Sequence, residues 1–376
     1  MRPTSHNNVV ELSPVKVSIR ETEIRNQILG YSILLNTLIE SENSAVIKFI
    51  FNQLKINHLS NFKVSLKNRG IYELNGEDVN AFVNLNIINY NNDINKYYST
   101  VNEKLPNNGV FIGCVESLTE RKERLSKTYT SLIKPIWFFD FILNRVIPKI
   151  PITKNIYSFF TNGEYNVVST AETLGRLSFS GFTIISHQKI GGKLYFAASK
   201  TKAPLKDESP SSGVLYKMPR VSKGGKIIGI YKLRSMHPYS EYIQDYLVRI
   251  NGYDSTGKPN NDFRLTSWGK VMRKLHVDEM PQLLNVAKGE LNIIGVRPLS
   301  KFGYNALPLD LQIERIKYKP GCIPPSISIG VNGFEGVIKA ERIYLRTLSR
   351  KQKLMTNVKY FYSAVLNLLK RKHVSA

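Results

Sequence analysis

The stretch VLYKMPRVSKGGKIIGIYKLRSM, residues 214–236, predicts a β-hairpin. Two runs rich in β-forming residues flank a Lys-Gly-Gly-Lys run at 223–226, which supplies the turn. Apolar side chains recur at every second position in each half, so each strand has one apolar face. These positions are Val214, Tyr216, Met218, Ile228 and Ile230. A sheet element therefore opens the C-terminal half of the chain.

The sequence before this hairpin predicts a separate α/β domain. Residues 82–117 indicate a strand, a helix, a Pro-Asn-Asn-Gly turn and a second strand, and residues 171–200 indicate a helix and two strands joined at Gly191-Gly192. This order resembles the second half of a methyltransferase-type Rossmann fold, although no G-x-G-x-x-G fingerprint opens a helix. We therefore predict an incomplete Rossmann-like unit over residues 1–205, without a recognisable cofactor fingerprint. The polar linker TKAPLKDESPSSG joins it to residues 206–376.

The composition indicates an anionic partner. The 376 residues include 53 Lys and Arg against 29 Asp and Glu, which gives a net charge of +24. Such an excess suits a membrane surface, phosphorylated substrates or nucleic acid. No nucleic-acid-binding motif is present, so we expect no nucleic-acid partner. The two cysteines, Cys114 and Cys322, form neither a disulfide framework nor a metal-binding pair by their spacing.

No stretch of the sequence predicts a membrane-spanning helix. There is no uninterrupted apolar run of about 18 residues, and the N-terminal MRPTSHNNVVELSPVKVS lacks the apolar core of a signal peptide. Residues 131–152 are amphipathic and fit either a core-packing helix or a segment that docks on a membrane surface. A C-terminal helix, with a basic Lys-Arg-Lys end, has the same two interpretations. Its apolar positions are Tyr360, Phe361, Ala364, Val365 and Leu368.

Two adjacent carboxylates, Asp278 and Glu279, lie in the stretch RLTSWGKVMRKLHVDEMPQLLNVAKG, residues 264–289. Proline is tolerated in the first turn of a helix, so Pro281 places the predicted helix start near Asp278, and Gly289 is the expected C-cap. At that end, the helix dipole and unpaired N–H groups hold a carboxylate ionised and can receive a phosphate.

These carboxylates have two interpretations. In the first, Asp278 is a helix N-cap and Glu279 an ordinary acid of the first turn. In the second, they are a nucleophile and a magnesium ligand, because basic residues crowd the approach to them. The basic residues are Arg264, Lys270, Arg273, Lys274 and Arg297.

Three segments of the C-terminal half resemble the bacterial sugar transferase family, the polyprenyl-phosphate glycosyl-1-phosphate transferases that start cell-surface glycan assembly. The segments are GVLYKMPRVSKGGKIIGIYKLRSM, RLTSWGKVMRKLHVDEMPQLLNVAKGELNIIGVRPLS and RIKYKPG, in the family's order within residues 213–321. The resemblance implies a small α+β catalytic domain over residues 206–376, with a β-hairpin and amphipathic helices. The whole chain is then an α/β protein.

The resemblance also implies a reaction and a set of residue roles. In the family, the Asp of the Asp-Glu pair attacks the sugar-bearing phosphate of a nucleotide sugar, and a polyprenyl phosphate then accepts the phosphosugar. Asp278 would be the nucleophile, and Glu279 with Asp278 would hold Mg²⁺. The residues expected to bind substrate phosphates are Arg273, Arg297, Arg264, Lys232 and Arg234. For Arg297 and Arg234, the other interpretation is a buried ion-pair partner that shapes the site.

The departures of the chain from the family pattern include two longer stretches. A polar stretch precedes the hairpin where the family has a membrane-embedded helix, and PGCIPPSISIGVNGF replaces the usual P-G-x-T-G-W-A-Q. We expect a peripheral or monotopic enzyme on the cytoplasmic face of the bacterial inner membrane. Its partners would be a nucleotide sugar such as a UDP-sugar, polyprenyl phosphate, the anionic membrane surface and glycan-assembly proteins. The alternative is a catalytically silent subunit that binds nucleotide sugar or a partner transferase.

Overall fold

The computed structural model of the protein describes residues 44–54, 62–72, 79–91, 93–149, 153, 157, 159–161, 167–206, 213–253, 259–350 and 353–369. They fall into two compact units. Unit 1 is Met1–Glu208 with Tyr239–Tyr246, and unit 2 is Ser209–Pro238 with Leu247–Ala376. Helices and strands occur in both units, which confirms the α/β class. The boundary expected between residues 205 and 206 stays a prediction.

Unit 1 is built on a five-stranded mixed sheet with the strand order β1-β2-β3-β5-β4. Strands β1, β2 and β3 are parallel, whereas β5 is antiparallel to both β3 and β4. The strands are β1 Phe62–Ser65, β2 Ala81–Ile87, β3 Val110–Val115, β4 Phe182–Ile190 and β5 Lys193–Lys200. The helices are α1 Ser44–Gln53, α2 Ile94–Lys104, α3 Leu118–Thr128, α4 Ile133–Phe141 and α5 Thr170–Phe179.

Local sequence explains this sheet. The β4–β5 turn requires positive φ, which Gly191 (φ 56°) and Gly192 (φ 78°) supply without a steric penalty. Strand β3 is apolar throughout and buried along its whole length, as expected of a strand covered on both faces. The predicted strand, helix, turn and strand of residues 82–117 are confirmed, as are the helix and hairpin before residue 201. The finer resemblance to a Rossmann half stays a prediction.

The amphipathic segment 131–152 forms α4 and the helical turns Ile142–Val146 and Ile147–Lys149. Its last three residues lie outside the described part of the chain. On one side, Asp140 accepts hydrogen bonds from Arg121 at 2.7 and 2.8 Å. On the other side, Phe138 and Phe139 are exposed to solvent. The segment therefore packs within unit 1 while leaving part of its apolar surface uncovered.

Unit 2 contains the predicted hairpin of β6 Leu215–Val221 and β7 Ile227–Leu233, with Gly224 and Gly225 at positive φ in the turn. A second, parallel pair joins β8 Asn292–Ile294 to β9 Gly321–Ile323. The short helices that follow the hairpin are α6 Gln244–Asn251 (which begins in unit 1), α7 Ser267–Lys274, α8 Gln282–Ala287, α9 Lys301–Asn305, α10 Leu309–Arg315 and α11 Pro325–Ile329. The two long C-terminal helices are α12 Gly333–Arg350 and α13 Lys353–Leu369.

Helix α13 has both a packed side and an exposed apolar side. Tyr360 contacts the Tyr344 ring at 5.0 Å between centroids, and Ala364 is buried. Tyr360 and Ala364 therefore belong to the packed side of the predicted amphipathic helix. The exposed side carries Leu354, Met355, Val358, Phe361, Tyr362, Val365 and Leu366. None of the described helices is both long and apolar enough to span a membrane.

Candidate active site

The two carboxylates lie in a 3₁₀ turn, Val277–Glu279, between α7 and α8. The α-helix begins only at Gln282, so the predicted helix start near Asp278 is wrong by about one turn. His276 lies two residues beyond the end of α7 in the left-handed region (φ 55°) and leads directly into the 3₁₀ turn, so the α-helix begins only after Pro281. Asp278 caps neither helical segment, so its N-cap interpretation is also wrong. Gly289 follows α8 at φ 69°, as expected of a C-terminal glycine.

Lys232 of strand β7 binds both carboxylates. Its Nζ lies 3.0 Å from Asp278 Oδ2 and 3.0 Å from Glu279 Oε1. Asp278 is 2% exposed, whereas the Glu279 side chain is 35% exposed. A buried carboxylate requires an opposite charge nearby, and Lys232 supplies it. The hairpin therefore contributes a residue to the chemistry of the dyad.

The charges of this cluster reinforce one another. Burial opposes the charged form of Lys232, but the negative charge and hydrogen bonds of Glu279 and Asp278 outweigh it and raise the pKa of Lys232. Burial likewise opposes ionisation of Glu279, yet Lys232, Arg297 and His276 hold its pKa below the usual value. The stabilisation from Glu279 is lost as pH falls through its lowered pKa, and that from Lys232 as pH rises through its raised pKa. Both groups are therefore charged throughout the neutral range.

The two carboxylates of the dyad are oxygen ligands of the kind that Mg²⁺ prefers. Asp278 Oδ2 is buried without a hydrogen bond of good angle, although the Lys232 ammonium is 3.0 Å away. The described residues include no cluster of three or more His, Cys, Asp or Glu side chains suited to a metal. Mg²⁺ commonly uses one or two carboxylates together with water and substrate phosphates. Two carboxylates therefore suffice, and the Lys232 ammonium and a cation would compete for the same oxygens.

Arg273 is held on α7 by a neighbouring hydroxyl. Thr266 caps this helix by accepting a hydrogen bond from the Gly269 amide at 2.9 Å, and Gly269 packs directly on the Ser235 carbonyl, where a Cβ would clash. The Nε of Arg273 then donates to Ser235 Oγ at 2.8 Å. Among the described residues, the terminal nitrogens of Arg273 have no hydrogen-bond acceptor, and Lys274 is exposed.

The other predicted cations have different surroundings. In the described part of the chain, the exposed Arg297 guanidinium makes neither an ion pair nor a hydrogen bond, so its interpretation as a buried ion-pair partner is wrong. Arg264 is buried and donates to both oxygens of Asp262, at 2.8 and 2.9 Å. Arg234 donates to the Gly213 carbonyl at 2.7 Å. The structure thus brings Lys232 and the charge of Arg297 to the dyad and gives Arg264 a carboxylate partner.

The sequence did not predict that two further residues, Ser235 and Cys322, lie near these groups. Ser235 directly follows Arg234 in the hairpin segment, and that position is its only sequence signal. Cys322 lies on β9, where burial and the charge of Glu279 raise the pKa of its thiol to about 11. The thiol is therefore neutral at physiological pH and adds no negative charge to the two carboxylates of the dyad.

Comparison with known proteins relates the C-terminal region to one family. Residues 200–371 match the family model described as bacterial sugar transferase. A galactosyl transferase of Streptococcus agalactiae is 36% identical over 117 residues, covering 31% of this chain and 25% of the relative. A UDP-N-acetylgalactosamine-undecaprenyl-phosphate N-acetylgalactosaminephosphotransferase of Aeromonas hydrophila is 40% identical over 98 residues. The match covers 26% of this chain and 21% of the relative.

A UDP-glucose:undecaprenyl-phosphate glucose-1-phosphate transferase of Caulobacter vibrioides is 36% identical over 94 residues, covering 25% of this chain and 31% of the relative. The chain spans less than a third of the length of each of these three relatives. The matching region includes the hairpin, the dyad and its surrounding cations. Over residues 200–371, the chain therefore matches the bacterial sugar transferase family.

Proposed function

We propose that this protein is a phosphoglycosyl transferase that moves a sugar 1-phosphate from a nucleotide sugar, such as a UDP-sugar, to polyprenyl phosphate. The observation that carries the proposal is the dyad Asp278–Glu279, which pairs with Lys232 in the region that matches the sugar transferase family. Two of the similar proteins are named for UDP-sugar donors and for undecaprenyl phosphate, which supports these substrate classes. The reaction would begin the synthesis of a cell-surface polysaccharide or glycoconjugate.

In the proposed reaction Asp278 is the nucleophile. A carboxylate oxygen of Asp278 forms a bond to the sugar-bearing phosphorus as the bond from phosphorus to the departing nucleoside monophosphate breaks. A phosphate oxygen of polyprenyl phosphate then attacks the same phosphorus, which forms a diphosphate and releases the Asp278 carboxylate. The Lys232 ammonium, 3.0 Å from Asp278 Oδ2, places a positive charge beside the attacking carboxylate.

Charge neutralisation is the second requirement, because a carboxylate must approach a diphosphate. Asp278 and Glu279 would hold Mg²⁺, which when bound would neutralise phosphate charge and orient the leaving group. Arg273 and Arg297 would bind substrate phosphates, since guanidinium groups offer several donors in a fixed geometry. Lys232 would act beside the dyad, and Arg234 would add positive charge around the same approach, whereas Asp262 offsets the charge of Arg264.

The proposal is tested by incubating the purified full-length protein with Mg²⁺ and a panel of UDP-sugars, with and without polyprenyl phosphate. We expect UMP release with one sugar and formation of a lipid-linked diphosphosugar only when the acceptor is present. Binding of a nucleotide sugar without UMP release would contradict the proposal and favour the catalytically silent subunit.

We expect Arg273→Ala to lower transferase activity about 10- to 100-fold, because a charge-assisted phosphate contact contributes about 1.5–3 kcal/mol. Lys274→Ala is the matched control, since it removes an exposed cation from the next position of the same helix. It should change the rate less than about twofold. The rate of UMP release is measured for both variants at saturating and at limiting concentrations of the UDP-sugar. Equally small losses would remove Arg273 from its assigned role.

We also propose that the protein attaches peripherally to the cytoplasmic face of the inner membrane. Apolar residues that are at least half exposed lie before and after the dyad, and exposed Lys270 and Lys274 lie on the same helix as the first group. The apolar residues are Trp268, Val271, Leu275, Met280, Leu283 and Leu284. An apolar surface interleaved with cations suits an anionic bilayer. The exposed sides of α4 and α13 would contribute in the same way.

We expect the paired substitutions Val271→Glu and Leu284→Glu to weaken binding to phosphatidylglycerol vesicles about tenfold or more, because each removes apolar insertion and adds repulsion. The matched control is Leu66→Glu in unit 1, where a residue of similar exposure (53%, against 56% for Val271) receives the same charge. Vesicle flotation at low and high salt is the measurement. Unchanged flotation of the paired variant would exclude this surface from attachment.

A further inference from the structure

The main chain of Arg297 is bonded on both sides by one buried ion pair. Its N–H donates to Glu341 Oε1 at 3.0 Å, and its carbonyl accepts a hydrogen bond from Arg315 Nη2. Arg315 Nη1 meanwhile donates to the other oxygen of Glu341. One peptide segment therefore satisfies both partners of a charge pair that helices α10 and α12 supply.

Because this ion pair is buried, all of its hydrogen bonds must be made within the protein. The Arg315 side chain is 4% exposed and that of Glu341 is 0% exposed, so neither charge can turn to water. A buried ion pair is tolerated when its remaining donors and acceptors are also bonded, and the backbone of Arg297 provides two of those bonds. Moving Arg297 would therefore remove one hydrogen bond from Arg315 Nη2 and one from Glu341 Oε1, both buried, which holds the segment in one position.

Neighbouring residues of the same loop are fixed as well. Val296 is buried, and its carbonyl accepts from the Gly321 amide at 3.0 Å. Two residues beyond Arg297, the Leu299 carbonyl accepts from the Val221 amide of the hairpin at 2.9 Å. The guanidinium of Arg297 extends from this fixed backbone into solvent, and its positive charge acts on Glu279.

We propose that Arg315 and Glu341 are positioning residues that fix the backbone of Arg297 and thereby direct its guanidinium to the phosphate beside the dyad. The fixed backbone stands on geometry alone, whereas the catalytic consequence rests on the proposed transferase function. Preorganised cations accelerate a reaction because no reorganisation is required as charge develops. The nearby pair of Arg342 with Asp310, at 3.0 Å, joins the same two helices at the surface, and its hydrogen bond does not involve Arg297.

Hydrogen exchange tests the backbone part without any assay of activity. In Arg315→Lys and Glu341→Gln, the amide of Arg297 should exchange about tenfold faster or more, because its acceptor is weakened or free to move. Arg342→Lys is the matched control and should leave this amide unchanged. Thermal unfolding establishes that each variant is folded. If Glu341→Gln does not fold, Arg315→Lys alone carries the test, because it retains the positive charge of the pair. Unchanged exchange at Arg297 in a folded variant would overturn the proposal.

A double-mutant cycle tests the catalytic part on the same proteins. Arg315→Lys should raise the KM for the UDP-sugar about tenfold, with a smaller effect on kcat, and should have no further effect when Arg297→Ala is present. Additive losses would show that Arg315 does not act through Arg297. If the wild-type protein releases no UMP, the proposed function fails, while the exchange result still decides whether the ion pair fixes the loop.

Discussion

Asp278→Asn should abolish turnover, with UMP release reduced by roughly a thousandfold or more, because an amide cannot replace the attacking carboxylate. The substitution preserves the shape of a side chain that is 2% exposed. It also leaves Lys232 paired with Glu279 at 3.0 Å, so the buried ammonium keeps a carboxylate partner. The variant should therefore remain folded, with its midpoint of thermal unfolding within a few degrees of the wild-type value.

The matched control is Asp310→Asn, which makes the same chemical change at a carboxylate on the surface of unit 2. It should release UMP at nearly the wild-type rate, because loss of an exposed ion pair changes little. Incubation of each protein with labelled UDP-sugar, followed by denaturation, would detect a phosphosugar bound to the wild type but not to Asp278→Asn. Retention of most activity in the Asp278 variant would remove that residue from the nucleophile role.

Features encoded in consecutive residues were predictable from the sequence. Period-two alternation around the Lys-Gly-Gly-Lys run predicted β6 and β7, and paired glycines predicted the β4–β5 turn. In each case the signal is local, because strand periodicity and positive φ depend on the residue itself and its neighbours. The dyad and Arg297 were likewise identifiable from their segments, and the structure brings the charge of Arg297 to Glu279.

Features that depend on distant partners were not predictable in this way. Pro281 permits a helix start but does not set it, and the left-handed backbone of His276 moved the α-helix to Gln282. Arg315 and Glu341 are 26 positions apart, and no periodicity links them. In the sequence, Arg315 was only the first residue of RIKYKPG, so a role in fixing Arg297 became visible only from the packing of α10 and α12.

The segment Tyr239–Tyr246 is a further case, because it follows the hairpin in sequence but packs within unit 1. Tyr239 is 2% exposed, and its hydroxyl accepts a hydrogen bond from Asn95 Nδ2 at 2.7 Å. The Arg176 guanidinium lies 4.4 Å from its ring centroid, and Phe179 makes an edge contact at 5.4 Å. One aromatic side chain therefore holds this segment against α2 and α5.

Tyr239→Ala should destabilise the protein by about 3–5 kcal/mol, the usual cost of removing a buried aromatic side chain. The cavity would leave Asn95 without its hydroxyl partner and the Arg176 guanidinium without its aromatic contact. Tyr239→Phe keeps the ring and removes only the hydroxyl, so it should cost about 1 kcal/mol. Urea unfolding followed by circular dichroism measures the free energy of unfolding of each variant.

Tyr253→Ala is the matched control, because the same residue type is 57% exposed in unit 2. The free energy of unfolding of this variant should stay within about 0.5 kcal/mol of the wild-type value. If Tyr239→Ala unfolds at the same urea concentration as this control, the segment is not held by Tyr239. If instead the loss of unfolding free energy is largest for Tyr239→Ala, smaller for Tyr239→Phe and smallest for Tyr253→Ala, the stability of unit 1 depends on residues that follow the hairpin. A protein that begins at residue 206 would then expose Tyr239 and lack the α2 and α5 side chains that bury it.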